Sequence, residues 1–197
     1  MKRVWLGVAA LVLAAGSAVL ADAPVDGRAG RAEVRFLEGM IDHHQMALDM
    51  ANDCLAHATT DPVLAICQNV IGAQTPEIEQ MQGWLLAWYQ IQYAPVAMVE
   101  PDAMAGMDHS MHSSSGPFTD PPMMMGMMAG LSRLQGVDYD IAWLEAMIDH
   151  HDDALHMAEC ILTRAQHDAL IGLAEAILRD QSAEIAQMET LLTGLAG

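Results

Sequence analysis

The stretch FLEGMIDHHQMALDMA, Phe36 to Ala51, returns as WLEAMIDHHDDALHMA, Trp143 to Ala158, so that His43 and His44 are matched by His150 and His151 at an offset of 107 residues. The same offset, without a gap, carries Gln74, Glu77, Ile78, Gln80 and Met81 onto Gln181, Glu184, Ile185, Gln187 and Met188. Each copy therefore covers two elements. A chain repeated in this way is expected to bury the same face of both copies, one against the other, about a pseudo-twofold axis.

The apolar period is helical. Leu37, Ile41, His44, Leu48, Ala51 and Leu55 share one stripe, and Phe36, Met40, His43, Ala47, Met50 and Cys54 fill the stripe beside it. Both histidines face inward on this reading. Met40 precedes His43 by three residues and His44 by four, so the three side chains can converge over one turn, with the small Ala47 below them. Met147, His150, His151 and Ala154 repeat the cluster.

The first helix is expected from about Gly30 to Ala58. Asp61 reads as the N-cap of a second helix with Pro62 at its first position, reaching about Tyr93 and kinked at Pro76. A third helix starts at Asp138 or Tyr139 and runs to about Gln166, and Asp168 caps a fourth that fades near Leu192. These limits give a first hairpin over 30–93, a Met/His-rich linker over 94–137 and a second hairpin over 138–195, within a single domain spanning 22–197. A linker of that length suits a ferritin-like up-down-down-up bundle, whereas up-down-up-down order needs only a short loop. The fold class is therefore all-α: a ferritin-like four-helix bundle of two repeated hairpins joined by a long Met-rich crossover.

Lys2 and Arg3 precede an apolar run from Val4 to about Leu20, and Val19-Leu20-Ala21 offers a small-residue cleavage site. Residues 1–21 read as a secretory signal peptide cleaved after Ala21, which places the protein in the periplasm or outside the cell with no stable membrane insertion afterwards. Removing Lys2 and Arg3 takes the formal charge from −18 to −20. Such a surface argues against nucleic acid as a partner and favours weak attraction of cations. In an exported chain with three cysteines, one disulfide and one free thiol are expected. Cys54 and Cys67 lie equally far either side of the Thr60-Asp61-Pro62 turn and are paired here across the first hairpin, leaving Cys160 as a buried small hydrophobe.

Chemistry is expected at the doubled clusters. A single His or Met on an apolar helix face is ordinarily core, but two adjacent imidazoles, twice over, each one turn from a Met, are a costly way to fill one. Gln74, Glu77 and Met81, with Gln181, Glu184 and Met188, fall on faces that reach the same core, and Glu77 and Glu184 are placed to orient ligating histidines. Asp42 and Asp149 read as solvated. Thioether with imidazole selects Cu(I), with Ag(I) as a second soft ion, over Zn(II). The linker adds Met104, Met107, His109, Met111 and His112 within nine residues, followed by Met123 to Met128. A di-iron or other metal-dependent oxidoreductase on the same scaffold is the rival reading, but it needs Glu-x-x-His pairs, and the chain has none. Nor is there a His-Glu-x-x-His, a nucleophile elbow or a Gly-rich phosphate loop, so no enzymatic activity is expected.

With M-I-D-H-H-x-x-A-L-x-M-A seen twice and Q-x-x-E-I-x-Q-M closing each repeat, the chain resembles the bacterial family called domain of unknown function three hundred and five. The resemblance covers about Arg31 to Trp88 and Asp138 to Leu192. It implies a ferritin-like four-helix bundle and a role in copper binding or resistance, and the partners expected for such an exported chain are copper ions and other periplasmic copper-handling proteins. Its ligands would be Met40, His43, His44, Met147, His150 and His151, with Met46, Met50, Met81, Met157 and Met188 behind them. Asp153 stands where the first repeat has Met46, so the extended Met set is not repeated in full.

Overall fold

A computed structural model describes residues 23–95 and 128–195 of the chain. The expected leader, residues 1–21, and the linker donors Met104, Met107, His109, Met111 and His112 lie outside the described residues. Four long helices carry the fold: α1 (Gly27–His57), α2 (Asp61–Tyr89), α3 (Val137–Leu162) and α4 (Asp168–Leu195). No strand occurs among the described residues.

α1 packs on α2, α3 on α4, and the two hairpins meet along α1 and α3. Along that seam Met157 reaches Gly39, His150 lies on His43, Trp143 Nε1 donates to the Met50 carbonyl at 2.9 Å, and the Tyr139 hydroxyl donates to Asp53 at 2.6 Å. These pairs run in opposite order along the two helices, so α1 and α3 are antiparallel. α2 and α3, joined by the crossover, therefore run parallel. The bundle has the up-down-down-up order of ferritin-like folds.

Helix boundaries differ from expectation: α3 ends at Leu162 rather than at about Gln166, and both limits of α2 are shifted. α2 is capped by Thr60 rather than Asp61, and Thr60 makes no side-chain cap bond. Asp140, fully buried at the start of α3, instead holds the turn just ahead of α2: its carboxylate accepts from the Thr59 N–H (2.9 Å), the Thr60 N–H (3.0 Å) and the Thr59 hydroxyl (3.1 Å). α2 also ends at Tyr89, short of Tyr93, because Gln90 turns into the left-handed region (φ 58°). Its N–H and that of Ile91 then satisfy the last carbonyls, a closure of the Schellman type. The chain folds back from there, and the Tyr93 hydroxyl donates to Asp42 at 2.6 Å. Asp42 is thus half-buried and hydrogen-bonded, not solvated. Pro76 lies inside α2 without ending it.

Cys54 and Cys67 form the disulfide across the first hairpin, with 6.2 Å between their Cα atoms. Cys160 is free and only half-buried, its sulfur 3.9 Å from His156 Nε2, so it is not the enclosed hydrophobe expected. Met128 belongs with the bundle, packed against its core, rather than with the linker.

Candidate metal centre

The apolar interior is interrupted at one level on all four helices. On α1 the buried apolar residues stop at Ile41 and resume at Ala47, with His43 and His44 between; on α3 they stop at Met147 and resume at Ala154, with His150 and His151 between. On α2, Gln74 stands between Val70 and Ile78, and on α4, Gln181 stands between Ile177 and Met188. Six polar side chains, each at most 4% exposed, thus form a layer through the middle of the bundle. It divides the core into two apolar clusters.

The two central rings, His43 and His150, lie against each other across the seam with centroids 3.7 Å apart and planes inclined by 36°. The outer two are tied to carboxylates: His44 Nε2 lies 2.7 Å from Glu77 Oε2, and His151 Nε2 lies 2.8 Å from Glu184 Oε2. His150 Nε2 lies 3.1 Å from the His43 carbonyl oxygen. A carbonyl accepts and never donates, and an ionised carboxylate does likewise, so the Nε2 of His44, His150 and His151 carries the hydrogen in these bonds. In the neutral ring each Nδ1 is then left with its lone pair. All three Nδ1 atoms, and both ring nitrogens of His43, have no hydrogen-bond partner among the described residues. The same holds for the amide oxygen and nitrogen of Gln74 and Gln181. Burying so many unpaired donors and acceptors is costly, by about 1–3 kcal/mol each.

Burial holds the His43 and His150 pKa values well below the ordinary histidine range, and the neighbouring imidazoles push the same way. Both rings are therefore neutral at pH 7, the form that binds a metal.

The thioethers lie above and below this layer. Met40 and Met81 share the cluster on one side with Met157, and Met147 and Met188 share the cluster on the other with Met50. The repeat offset maps one trio onto the other, so each trio takes two sulfurs from one hairpin and the third from its partner. Met46 is half-buried beside the second cluster, and its counterpart Asp153 is exposed. Among the described residues no three His, Cys, Asp or Glu side chains are grouped closely enough to hold an ion by themselves.

Sequence reasoning placed the histidines, Glu77, Glu184 and the glutamines in one core but missed Glu33 and Asp140. Both are fully buried acids, and they stand in register at the offset of 107. That register was the available signal.

A family model described as "Domain of unknown function (DUF305)" matches residues 33–192. Among solved structures, CopM in a Cu(II)-bound form is 31% identical over 81% of this chain and 94% of its own, with a TM-score of 0.61. CopM in a Cu(I)-bound form is 27% identical over 84% and 98%, with a TM-score of 0.64. A secreted DUF305 protein of Streptomyces coelicolor, 23% identical over 84% and 93%, shares the fold with a TM-score of 0.65. No curated protein matches the sequence.

Proposed function

Because the chain belongs to the DUF305 family, we propose that it is an exported protein that sequesters or carries copper as Cu(I), with Ag(I) able to take its place, and so contributes to copper tolerance. One observation supports this reading above the others: a mid-bundle layer offers unpaired imidazole nitrogens between two trios of buried methionines. Soft thioethers beside borderline imidazoles are the donor set that Cu(I) prefers. The solved CopM structures in copper-bound forms support the same class of ion.

In this reading His43, His44, His150 and His151 supply nitrogen, and Met40, Met50, Met81, Met147, Met157 and Met188 supply sulfur, with Met46 at the margin. Glu77 and Glu184 fix the tautomers of His44 and His151, so that each Nδ1 faces the ion. The di-iron alternative fits less well, because both of these glutamates already hold histidines. In the linker, Met104, Met107, His109, Met111 and His112 form a second, polar capture segment. The leader delivers the protein to the compartment where it meets copper and other periplasmic copper-handling proteins.

The test is a Cu(I) titration of the apo protein in competition with a chromogenic chelator. The wild type will bind tightly and stoichiometrically, and His43→Leu with His44→Leu will lose one class of sites while remaining helical. Deleting residues 104–125 will lower the number of ions bound and leave the bundle sites intact. Tight stoichiometric Fe(II) with oxygen consumption would instead establish the oxidoreductase reading.

A further inference from the structure

Four of the six arginines that follow the leader gather in one cleft. Arg28, Arg31 and Arg35 recur at spacings of three and four at the start of α1, which puts them on one helix face, and Arg164 joins them from the α3–α4 turn. Ala29 and Ala32 complete the lining of a cleft of about 620 Å³. Its size falls within the roughly 300–1,000 Å³ of small-molecule sites.

The clustering works against the helix. Like charges three and four residues apart repel, and positive charge in a first turn opposes the macrodipole. The other helices begin with Asp61, with Asp138 and Asp140, and with Asp168, whereas α1 has no acid in its first turn. The chain carries 26 acidic residues, yet none of the four guanidinium groups pairs with a described carboxylate. Among the described residues the arginine that does so is Arg179, 2.8 Å from Asp180.

The repeat provides an internal control. At the offset of 107 the four arginines correspond to Gln135, Asp138, Ala142 and His57. The second half reaches the same architecture with those residues, including the same carboxylate clamp on a hairpin turn. The fold therefore does not require guanidinium groups at these places.

We propose that the cleft binds a phosphate-bearing ligand with at least two oxyanion groups. Pyrophosphate or longer polyphosphates could supply them in solution, and the headgroups of an anionic lipid surface could supply them in a membrane. Guanidinium forks match phosphate oxygens in bidentate fashion, and four of them offer more donors than one small anion can use. An overall charge of −18 repels anions, so only a ligand of high local charge density, gripped at several points, overcomes it. The cleft shares no residue with the mid-bundle layer, so its occupancy is independent of copper.

Pyrophosphate titrated calorimetrically into the mature protein at low salt will bind saturably, and more weakly as salt is added. Arg31→Ala or Arg35→Ala will each weaken it about tenfold. A quadruple variant, Arg28→Gln, Arg31→Asp, Arg35→Ala and Arg164→His, carries the residues of the other repeat. It will not bind pyrophosphate, while its copper stoichiometry and helical signal stay as in the wild type. If that variant does not fold, the single variants decide. Co-sedimentation with phosphatidylglycerol vesicles, against phosphatidylcholine vesicles, separates the sources: binding to the former with none to pyrophosphate assigns the lipid, and the converse assigns the soluble ligand. Absence of saturable binding to both, or binding retained in the folded quadruple variant or unchanged in the single ones, overturns the proposal.

Discussion

Glu33 and Asp140 stand at equivalent positions in the two repeats, and each clamps the turn of the hairpin to which it does not belong. Asp140 of α3 holds Thr59 and Thr60, between α1 and α2. Glu33 of α1 accepts from the Gln166 N–H (2.6 Å), the His167 N–H (3.1 Å), His167 Nδ1 (2.5 Å) and the Tyr89 hydroxyl. Replacing either acid leaves buried donors unpaired in the other hairpin. Asp140→Ala is expected to cost about 2–4 kcal/mol of unfolding free energy, read by chemical denaturation, with the spectrum of the folded state retained.

The Glu33 clamp also has a pH signature. Burial alone would raise its pKa, but the bonds from Gln166, Tyr89 and His167 outweigh it and hold the carboxyl below its ordinary value of 4.5. A carboxyl depressed in the folded state stabilises fully above its unfolded pKa, and that contribution is lost as pH falls from about 4.5 through the folded value. In Glu33→Gln the fall in stability below pH 4.5 should be shallower than in the wild type, with a lower plateau near neutrality.

His43 and His150 act at a higher pH. Their folded pKa values lie well below the ordinary 6.5, so the folded state binds fewer protons than the unfolded one. Their contribution is fully present above pH 6.5 and declines as the solution is acidified below it. Thermal midpoints of the apo protein should drop between pH 7 and pH 5. A variant with leucine at both positions should lose most of that slope.

On the proposed metal reading, Glu77→Gln and Glu184→Gln should weaken Cu(I) binding about 10–100-fold at the histidine each one orients. The two effects should be similar in size, since the two contacts are 2.7 and 2.8 Å long. Equal affinity in wild type and both variants would remove the glutamates from the site.

The disulfide gives a fifth handle. Cys54 and Cys67 are 13 residues apart, and closing a loop of that size stabilises by about 3 kcal/mol. Reduction, or Cys54→Ser with Cys67→Ser, should lower the melting temperature by about 6–12 °C.

Much of the fold was legible because one pattern was written twice. The offset fixed four helices, their inward faces and the pairing of equivalent residues, and a turn centred between two cysteines located the disulfide. Adjacent histidines are harder to read. His43 and His44 lie about 100° apart on the helix, and both point inward, so periodicity does not say that one meets its counterpart ring to ring while the other turns to a glutamate. The Thr60 and Gln90 boundaries were missed for a related reason: the first depends on Asp140, 80 residues away, and the second on a left-handed conformation that glutamine rarely adopts. Glu33 and Asp140 look like surface acids until the partner hairpin is present.

The exchange of Met50 and Met157 between the two clusters bears on ancestry. If one hairpin once existed as a separate chain, it held two of the three sulfurs of a trio and borrowed the third, together with the clamp on its turn, from a second copy. Such a peptide would have been complete only as a homodimer, its twofold axis passing between two identical imidazoles. Tandem fusion would then have made assembly independent of concentration and freed the copies to diverge where symmetry had forbidden it. Met46 in one copy where the other has Asp153, and a disulfide in one half alone, fit that freedom.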